Sequence, residues 1–289
     1  MNYRHAFHAG NFGDVLKHVV LLELLDALHR KPSPVHLLDT HAGIGLYDLA
    51  GDEAQRSGEY RFGVGAVLAD MAAEKQLPRY VAALKRLNPE LKPGGSGLRR
   101  YPGSPWLLAD SLRPDDRLTL CELHPQDAEA LKRNLAAEFG RDSAMAIHHR
   151  DGFEAIKALM PPTPRRGLAL IDPAFEAKDE FEILSKAVLA AQQRWATGQL
   201  AVWYPIKDQK SIEGWKSGLA KTLKSETLCI ELTVRPAKDA RQMSGSGLLV
   251  INPPWQLKEA LTPMLEFLKS RLIRETGGGT RITTLVKAG

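Results

Sequence analysis

The sequence predicts an α/β fold built on a doubly wound, mostly parallel sheet. Apolar, β-rich runs alternate along the chain with loops and helical patterns, which is typical of parallel βαβ units. These runs are apolar almost throughout, as expected for strands that are covered on both faces of a sheet. The chain has 289 residues and is 44% hydrophobic, which is enough for one large core.

The elements follow in order along the chain. Before the first strand, the pattern predicts a loop and then a helix from about Gly13 onward. Five runs are predicted as parallel strands: VHLLDTHAG (35–43), RLTLCELHP (117–125), AMAIHHRDG (144–152), GLALIDPAF (167–175) and QLAVWYPIK (199–207). Three later runs have less helix between them, which predicts an antiparallel edge at the C-terminal end: TLCIELTVRP (227–236), SGLLVINPP (246–254) and TRITTLVK (280–287).

A long segment separates the first two strands. About 75 residues lie between them, far more than a single crossover helix needs. The segment contains a helical pattern, LPRYVAALKRLN, and a Pro/Gly-rich stretch, PELKPGGSGLRRYPGSP. We therefore predict that residues 52–104 form a small helical insertion subdomain, and that residues 1–51 and 105–289 form the main domain.

Composition limits the compartment and the partner. The net charge of +5 fits a phosphate-bearing partner, because Lys and Arg release counterions from a nucleic acid backbone, although many other proteins share it. No apolar run approaches the roughly 20 residues that span a bilayer, and the first residues are polar where a signal peptide is apolar. Cys121 and Cys229 lie in apolar runs, which favours buried thiols over a disulfide framework. We expect a cytoplasmic protein without a membrane segment.

The ends of the predicted parallel strands are where an open α/β sheet binds its ligand. The first strand ends in Asp39 and leads into a loop with Gly43 and Gly45, where the backbone can turn tightly and approach a ligand. This glycine signal is weak alone, because the third position of a dinucleotide-binding motif is Asp48 rather than glycine. A purely structural turn is the alternative interpretation.

Acids follow the next three strands. Glu122 is placed to accept both ribose hydroxyls of a nucleotide-like cofactor, and a solvated loop acid is the alternative. Asp151 can accept from an adenine amino group while Gly152 lets the loop pass close to the ring, and a helix cap is the alternative. Asp172 ends the fourth strand. Together these features predict an adenosine-containing cofactor with a further acid beside its reactive end.

These motifs, in this order, resemble a known family. The glycine loop, ribose acid, Asp-Gly and Asp-Pro-x-aromatic resemble the S-adenosylmethionine-dependent N6-adenine methyltransferases, whose catalytic motif is Asp/Asn-Pro-Pro-aromatic. Nearly the whole chain resembles the bacterial 23S ribosomal RNA (adenine-N6) methyltransferase J family. The blocks that carry this resemblance are YRHAFHAGNFGDVLKH, LLDTHAGIGLYDL, GEY, YPGSP, ELHP, DGF, WYPI and INPPW.

The resemblance implies a Rossmann-like class I methyltransferase sheet, S-adenosylmethionine as cofactor and one adenine of 23S ribosomal RNA as target. Asp172 and the backbone carbonyl of Pro173 would accept the two N–H groups of the adenine amine, and the carboxylate would stabilise the positive charge that develops on nitrogen. Phe175 would stack on the base after the base has left its own stack.

Two features of the motif qualify the resemblance. Ala174 replaces the second proline of the family motif, which puts the rigidity of the loop and the rate in doubt, whereas the acceptor carbonyl belongs to Pro173. The run INPPW at 251–255 matches the general motif better than IDPAF does. Because the last strand of such sheets runs antiparallel, we interpret Asn252 as part of a structural strand exit.

The resemblance also assigns residues outside the strand ends. Residues 1–34 would form an N-terminal segment that closes over the cofactor. Lys17 and His18 would face the methionine part of the cofactor, with His41 and Ser104 nearby, and Tyr3 would contact the RNA. Isolated residues of these types at a helix start are usually surface residues, so these roles follow from the family alone.

Several alternatives stay open at this point. The enzyme is expected to be a monomer that needs no metal, since the nine histidines lack partners at zinc spacing, and to act on naked or partly assembled 23S RNA. The same chemistry on DNA or another RNA is one alternative. A cofactor-binding nucleic-acid-binding relative that has lost turnover is a second, and an NAD-dependent oxidoreductase, disfavoured by the missing glycine, is a third.

Overall fold

The computed structural model describes residues 4–140, 144–237 and 242–287. Within these residues, eight strands form one sheet in the order β10-β8-β9-β7-β6-β1-β4-β5, and two short strands form a separate pair, β2-β3. The strands are β1 (His36–Asp39), β2 (Leu46–Asp48), β3 (Arg100–Pro102), β4 (Arg117–Glu122), β5 (Met145–His149), β6 (Gly167–Ile171), β7 (Gln199–Ile206), β8 (Thr227–Thr233), β9 (Gly245–Ile251) and β10 (Gly279–Val286).

The helices cover both faces of this sheet. They are α1 (Phe12–His29), α2 (Asp52–Ser57), α3 (Val64–Leu68), α4 (Ala73–Gln76), α5 (Pro78–Leu87), α6 (Ser104–Asp110), α7 (Pro125–Phe139), α8 (Gly152–Leu159), α9 (Glu180–Arg194), α10 (Gln209–Ala220) and α11 (Leu257–Leu272). In the described part of the chain, no helix combines the length and the apolar character that crossing a membrane requires.

Strand β6 shows how the two layers of core are built. Leu168 and Leu170 point into the cluster that holds α1, α5 and α11, whereas Ala169 and Ile171 point into the cluster that holds α8, α9 and α10. Alternate side chains of a strand face opposite sides of the sheet, so a strand covered on both sides is apolar at every position. All five residues of β6 are buried, and the prediction of a doubly wound sheet is confirmed.

The antiparallel C-terminal edge is also confirmed, with one error. Strands β1, β4, β5, β6 and β7 pair in parallel, while β9 pairs antiparallel with both β7 and β8, and β10 pairs antiparallel with β8. The expectation of less helix between the last strands is wrong for α11, whose 16 residues join β9 to β10. Its apolar positions recur at helical spacing and bury Leu261, Leu265 and Leu268 against the core.

The segment 52–104 contains α2 to α5 and ends with strand β3. Strand β3 pairs antiparallel with β2, a small ribbon that the sequence analysis did not predict, since each strand has only three residues. Helix α5 buries Tyr80 and Leu84 toward α1. Helix α1 is therefore enclosed between the sheet, this segment and α11, which explains why 13 of its 18 residues are buried.

Candidate active site

The carboxyl ends of the parallel strands meet at one edge of the sheet. Asp39 pairs in register with Leu120 of β4 and Leu170 of β6, so these three strands end within two residues of one another at this edge. A cavity of about 710 Å³ opens at this edge, a volume suited to a cofactor-sized ligand. Predicted site residues that line it are Lys17, His41, Gly43, Ser104, Glu122, Asp172, Pro173 and Phe175.

Asp172 lies directly after β6 and forms a buried ion pair at the cavity wall. Nζ of Lys17 lies 2.6 Å from Oδ2 of Asp172 and 2.9 Å from Oδ1 of Asp14, one turn earlier on α1. Burial alone would lower the pKa of Lys17, but the two carboxylates outweigh it and hold that pKa well above its ordinary value. Lys17 is therefore a fixed cation that orients the Asp172 carboxylate.

Asp14 is the deepest member of this group. It also accepts from the backbone N–H of Gly10 at 3.0 Å and contacts Nε2 of His5 at 2.9 Å. Burial favours the neutral acid, yet His5 and Lys17 overcome this effect and hold the pKa of Asp14 well below its ordinary value. The sequence analysis missed Asp14 and His5, although Asp14 precedes Lys17 by three residues on the same helix face.

The loop after Asp172 carries a strained aromatic residue. Phe175 has a φ of 52°, in the left-handed region that is unfavourable for a side chain of this size. Its ring packs against Phe181 at 4.8 Å and Trp203 at 5.9 Å between ring centroids, and it borders the cavity together with Pro173. Strain of this kind persists where surrounding packing imposes it, and it is concentrated at functional sites.

Glu122, after β4, ties the glycine loop in place. One carboxylate oxygen accepts from the backbone N–H of Gly43 and the other from that of His124, both at 2.7 Å. Burial raises the pKa of this carboxyl group. Gly43 has a φ of +61°, and a Cβ there would lie 2.6 Å from the hydroxyl of Tyr47, so a larger residue does not fit. Each Glu122 oxygen keeps a second lone pair for a ligand hydroxyl.

His41 and Ser104 complete the inner wall. The His41 ring contacts the Thr40 hydroxyl at 2.7 Å, and burial lowers its pKa to about 4, so the ring is neutral at physiological pH. Ser104 donates to Oδ2 of Asp39 at 2.6 Å. Burial raises the pKa of Asp39 to about 6. These groups hydrogen-bond without adding positive charge.

Asp151 and Gly152 are next to this wall and do not line the cavity. Oδ1 of Asp151 accepts from the N–H groups of Phe153 and Glu154 and so caps the N-terminus of α8, the alternative that the sequence analysis left open. Gly152 does permit a close approach, since a Cβ would lie 2.1 Å from the carbonyl oxygen of Thr40. The loops after β1 and β5 are therefore in direct contact.

His18 is a further predicted residue that does not line the cavity. His18 is fully buried behind the wall, with Nδ1 3.0 Å from the hydroxyl of Tyr101, and burial lowers its pKa to about 3. The expectation that its side chain faces a ligand is not met, because α1 turns that position toward the insertion segment. Tyr3 lies outside the described residues.

The second match to the motif lies at the opposite edge. Since β9 runs antiparallel to β7, Ile251 pairs with Leu200 at the start of β7. The side-chain amide of Asn252 donates to the carbonyls of Ala196 and Gly198 at 2.8 and 2.7 Å. The interpretation of Asn252 as part of a structural strand exit agrees with this position.

Basic and aromatic residues on the other side of the cavity were also missed. Lys207, Arg235 and Arg274 line it, and the Arg274 guanidinium lies 3.9 Å from the centroid of the Phe62 ring. They were missed because each follows a different element, and only the fold brings them together. Within residues 4–140, 144–237 and 242–287, no cluster of three His, Cys, Asp or Glu side chains is arranged to hold a metal ion.

The geometry fits an adenosine-containing sulfonium cofactor. A carboxylate with free lone pairs faces the cavity from β4, the glycine loop passes beside it, and a fixed acid lies at the end of β6. Neutral inner-wall groups do not repel a positively charged sulfonium. The described residues therefore provide every group that this fit requires.

Comparisons with known proteins agree with this description. A family model described as "Ribosomal RNA large subunit methyltransferase D, RlmJ" matches residues 32–285. The chain is 41% identical to ribosomal RNA large subunit methyltransferase J of Haemophilus influenzae over 96% of each chain, and 38% identical to the protein of that name from Escherichia coli over 99% of each. A crystal structure of a Legionella pneumophila protein, 33% identical, aligns with a TM-score of 0.83 over 96% of this chain and 98% of that one.

Proposed function

Because this chain belongs to the RlmJ family of ribosomal RNA large subunit methyltransferases, we propose that it methylates N6 of one adenine in 23S ribosomal RNA, using S-adenosylmethionine. The observation that carries this proposal is the position of Asp172. It directly follows the parallel strand β6, faces the cavity and is followed by the Pro173 carbonyl and the Phe175 ring.

The residues at this strand end act on the adenine amine. S-adenosylmethionine would supply an electrophilic methyl group and leave as S-adenosylhomocysteine, while the methylated amine loses one proton to water. Lys17 contacts Oδ2 of Asp172, so Oδ1 remains to accept one N–H of the amine, while the carbonyl of Pro173 accepts the other. These two acceptors hold the nitrogen pyramidal and aligned, and the carboxylate stabilises the positive charge that develops on it. Phe175 stacks on the base that has left the RNA stack.

The acidic half of the cavity holds the cofactor. Glu122 accepts the ribose hydroxyls. The adenine extends beyond the cavity lining to Asp151, whose two backbone bonds both use Oδ1, so that Oδ2 accepts the adenine amino group. Gly43 lets the backbone approach the ligand. The amino-acid part lies against Lys17, His41 and Ser104, and His18 supports this wall from behind rather than by direct contact.

The larger organisation is part of the same proposal. Residues 1–34 cover the cofactor, residues 52–104 form an insertion subdomain, and residues 1–51 and 105–289 form the methyltransferase domain, with Tyr3 reaching the RNA. The enzyme works as a monomer in the cytoplasm and needs no metal. Its substrate is naked or partly assembled 23S RNA, because a base that must be flipped out is accessible there.

A labelling experiment tests the reaction and the substrate class together. The purified protein is incubated with radiolabelled S-adenosylmethionine and either deproteinised, unmethylated 23S RNA or duplex DNA, and the labelled nucleoside is identified. We expect label in N6-methyladenosine from RNA alone. Label in DNA would transfer the proposal to that substrate, and cofactor binding without any label would indicate a relative that has lost turnover.

The assembly stage is tested by comparing substrates. We expect deproteinised 23S RNA to be methylated much faster than mature large subunits prepared from cells that lack the enzyme. Equal initial rates on both substrates would contradict the preference for naked or partly assembled RNA, while leaving the reaction itself in place.

A further inference from the structure

The carboxyl edge of the sheet changes character at Asp172. On one side of β6, the strand ends of β1 and β4 carry the acids Asp39 and Glu122. On the other side, Lys207 directly follows β7 and Arg235 follows β8 by two residues. The acids belong to the half proposed to hold the cofactor, so the opposite half must serve another part of the reaction.

Backbone hydrogen bonds join the segments that carry these cations. The N–H of Ser244 donates to the carbonyl of Ile206, and the carbonyl of Ser244 accepts from the N–H of Val234, both at 2.8 Å. The carbonyl of Val234 in turn accepts from the N–H of Arg274 at 2.8 Å. The residues next to Lys207 and Arg235, and Arg274 itself, are thus held in one continuous row.

The cations of this row lack carboxylate partners among the residues that the structure describes. Across the described ranges, none of Lys207, Arg235 and Arg274 forms an ion pair with a carboxylate, although carboxylates pair with many other cations of the protein, such as Lys17. Among the described residues, Arg235 makes one hydrogen bond, to the carbonyl of Met243 at 3.1 Å. The N–H groups of these cations that have no partner in the described ranges can bind a phosphate oxygen.

Phe62 adds a flat surface at the end of the row. It is 52% exposed and lines the same cavity. The Arg274 guanidinium covers one face of the ring at 3.9 Å, which leaves the other face for a nucleobase. An aromatic ring backed by Arg, beside a row of phosphate-binding cations, is the combination that binds single-stranded RNA.

We propose that Lys207, Arg235, Arg274 and Phe62 form the RNA-binding rim of the site. The phosphates on one side of the flipped adenine follow the three cations, and a neighbouring base stacks on Phe62. This proposal rests on the proposed function and adds the path of the RNA strand. It also gives the insertion segment, which carries Phe62, a direct part in binding substrate.

The test measures RNA binding and methylation in matched variants. Binding of radiolabelled, deproteinised 23S RNA is measured by filter retention in the presence of S-adenosylhomocysteine over a series of KCl concentrations. The variants are Arg274→Ala, Arg235→Ala, Phe62→Leu and Phe62→Tyr. Arg61→Ala is the control, because Arg61 is adjacent to Phe62 but bonds Gln55 and Tyr60 and does not line the cavity.

Loss of either arginine is expected to weaken RNA binding about tenfold and to reduce the salt slope by about one. Phe62→Leu is expected to weaken binding about tenfold with the salt slope unchanged, since stacking is lost and charge is kept. Phe62→Tyr restores binding, Arg61→Ala leaves it unchanged, and the affinity for S-adenosylmethionine stays within about twofold in all variants, which also shows that they fold.

Other outcomes separate this proposal from the proposed function. If the unaltered protein methylates 23S RNA and the rim variants bind RNA as tightly as Arg61→Ala, the proposed RNA-binding rim is contradicted and the proposed function is retained. If the unaltered protein binds RNA without methylating it, the function fails and the rim is judged by the variants alone. If it does not bind 23S RNA at all, both fail.

Discussion

Two strand ends in this protein carry nearly the same motif and lie at opposite edges of one sheet. IDPAF follows β6, which is parallel to its neighbours, and INPPW follows β9, which is antiparallel to both of its neighbours. Asp172 therefore faces the cavity, whereas Asn252 bonds two backbone carbonyls. INPPW, which matches the motif better than IDPAF does, therefore has no access to the cavity.

The two ends also differ in what holds them. Asp172 is held by a buried cation from α1, which leaves carboxylate lone pairs directed at the cavity. The side-chain amide of Asn252 instead donates its N–H groups to the carbonyls of Ala196 and Gly198. Strand direction, rather than the quality of the motif match, therefore decides which copy can do chemistry.

Asp172→Ala should abolish methylation. Removing the acceptor and its negative charge is expected to lower kcat by about 10²–10³-fold or more, while the Kd for S-adenosylmethionine changes only a few fold. Single-turnover kinetics and calorimetric titration measure the two quantities. Asp172→Asn is the matched variant of equal size and should also be inactive, so near-normal turnover in either variant would remove Asp172 from its assigned role.

Lys17→Ala should impair both rate and stability. Without the cation, the Asp172 carboxylate loses its ion pair and Asp14 is left with its contacts with His5 and Gly10. This should cost on the order of 3 kcal/mol in the free energy of unfolding and lower kcat by about 10²-fold. Urea unfolding and turnover are measured together. Lys85→Ala, which breaks the exposed pair with Glu74, is the control and should cost less than about 1 kcal/mol.

Glu122→Gln should weaken cofactor binding and not chemistry. The amide cannot accept from both backbone N–H groups and two ribose hydroxyls, so the Kd for S-adenosylmethionine should rise by about 10–100-fold with kcat at saturation nearly unchanged. Glu129→Gln, which alters an exposed acid on the next helix, should have no effect. A loss of kcat with unchanged Kd would contradict a role in ribose binding.

Ala174→Pro restores the family motif and should change kcat less than about threefold, because the two acceptors belong to Asp172 and Pro173. A second proline removes freedom from the unfolded chain, so the free energy of unfolding should rise by about 0.4–1 kcal/mol. Thermal unfolding and initial rates measure both. A rate that fell more than about tenfold would mean that the backbone at Ala174 takes part in the reaction.

Asn252→Ala should leave methylation per folded molecule unchanged. It loses two hydrogen bonds and places alanine at a φ of +54°, so the free energy of unfolding should fall by about 1–2 kcal/mol. Comparison of turnover with that of Asp172→Ala completes the test. Loss of activity without loss of stability would reverse the assignment of the two motifs.

Much of the fold could be predicted because strands of this sheet are buried on both faces. Their apolar runs are continuous, so all eight strands of the main sheet were predicted within a few residues. The three-residue strands β2 and β3 were missed because they bury few side chains and leave no periodic signal. Helix α11 was missed because it comes soon after the apolar run of β9, in a part of the chain where strand patterns dominate.

Strand ends predicted part of the site, whereas Lys17 and Ser104, which also line the cavity, followed only from the family resemblance. Glu122 and Asp172 could be placed because the carboxyl ends of parallel strands share an edge. His18 could not, since adjacent helix positions point about 100° apart and the sequence does not show which one faces the cavity. Asp14, Phe62 and Arg274 come from separate elements and meet only through tertiary packing.

The packing of α1 has a consequence for biosynthesis. This helix is made first, yet it packs against β9 and α11, which are made near the end of the chain. At typical rates of synthesis, roughly 10–50 s pass between these segments. During that interval the sheet against which α1 packs is incomplete, so Lys17 is not yet fixed in its position beside Asp172. The packing that encloses Lys17 is therefore complete only after β9 and α11 have been made.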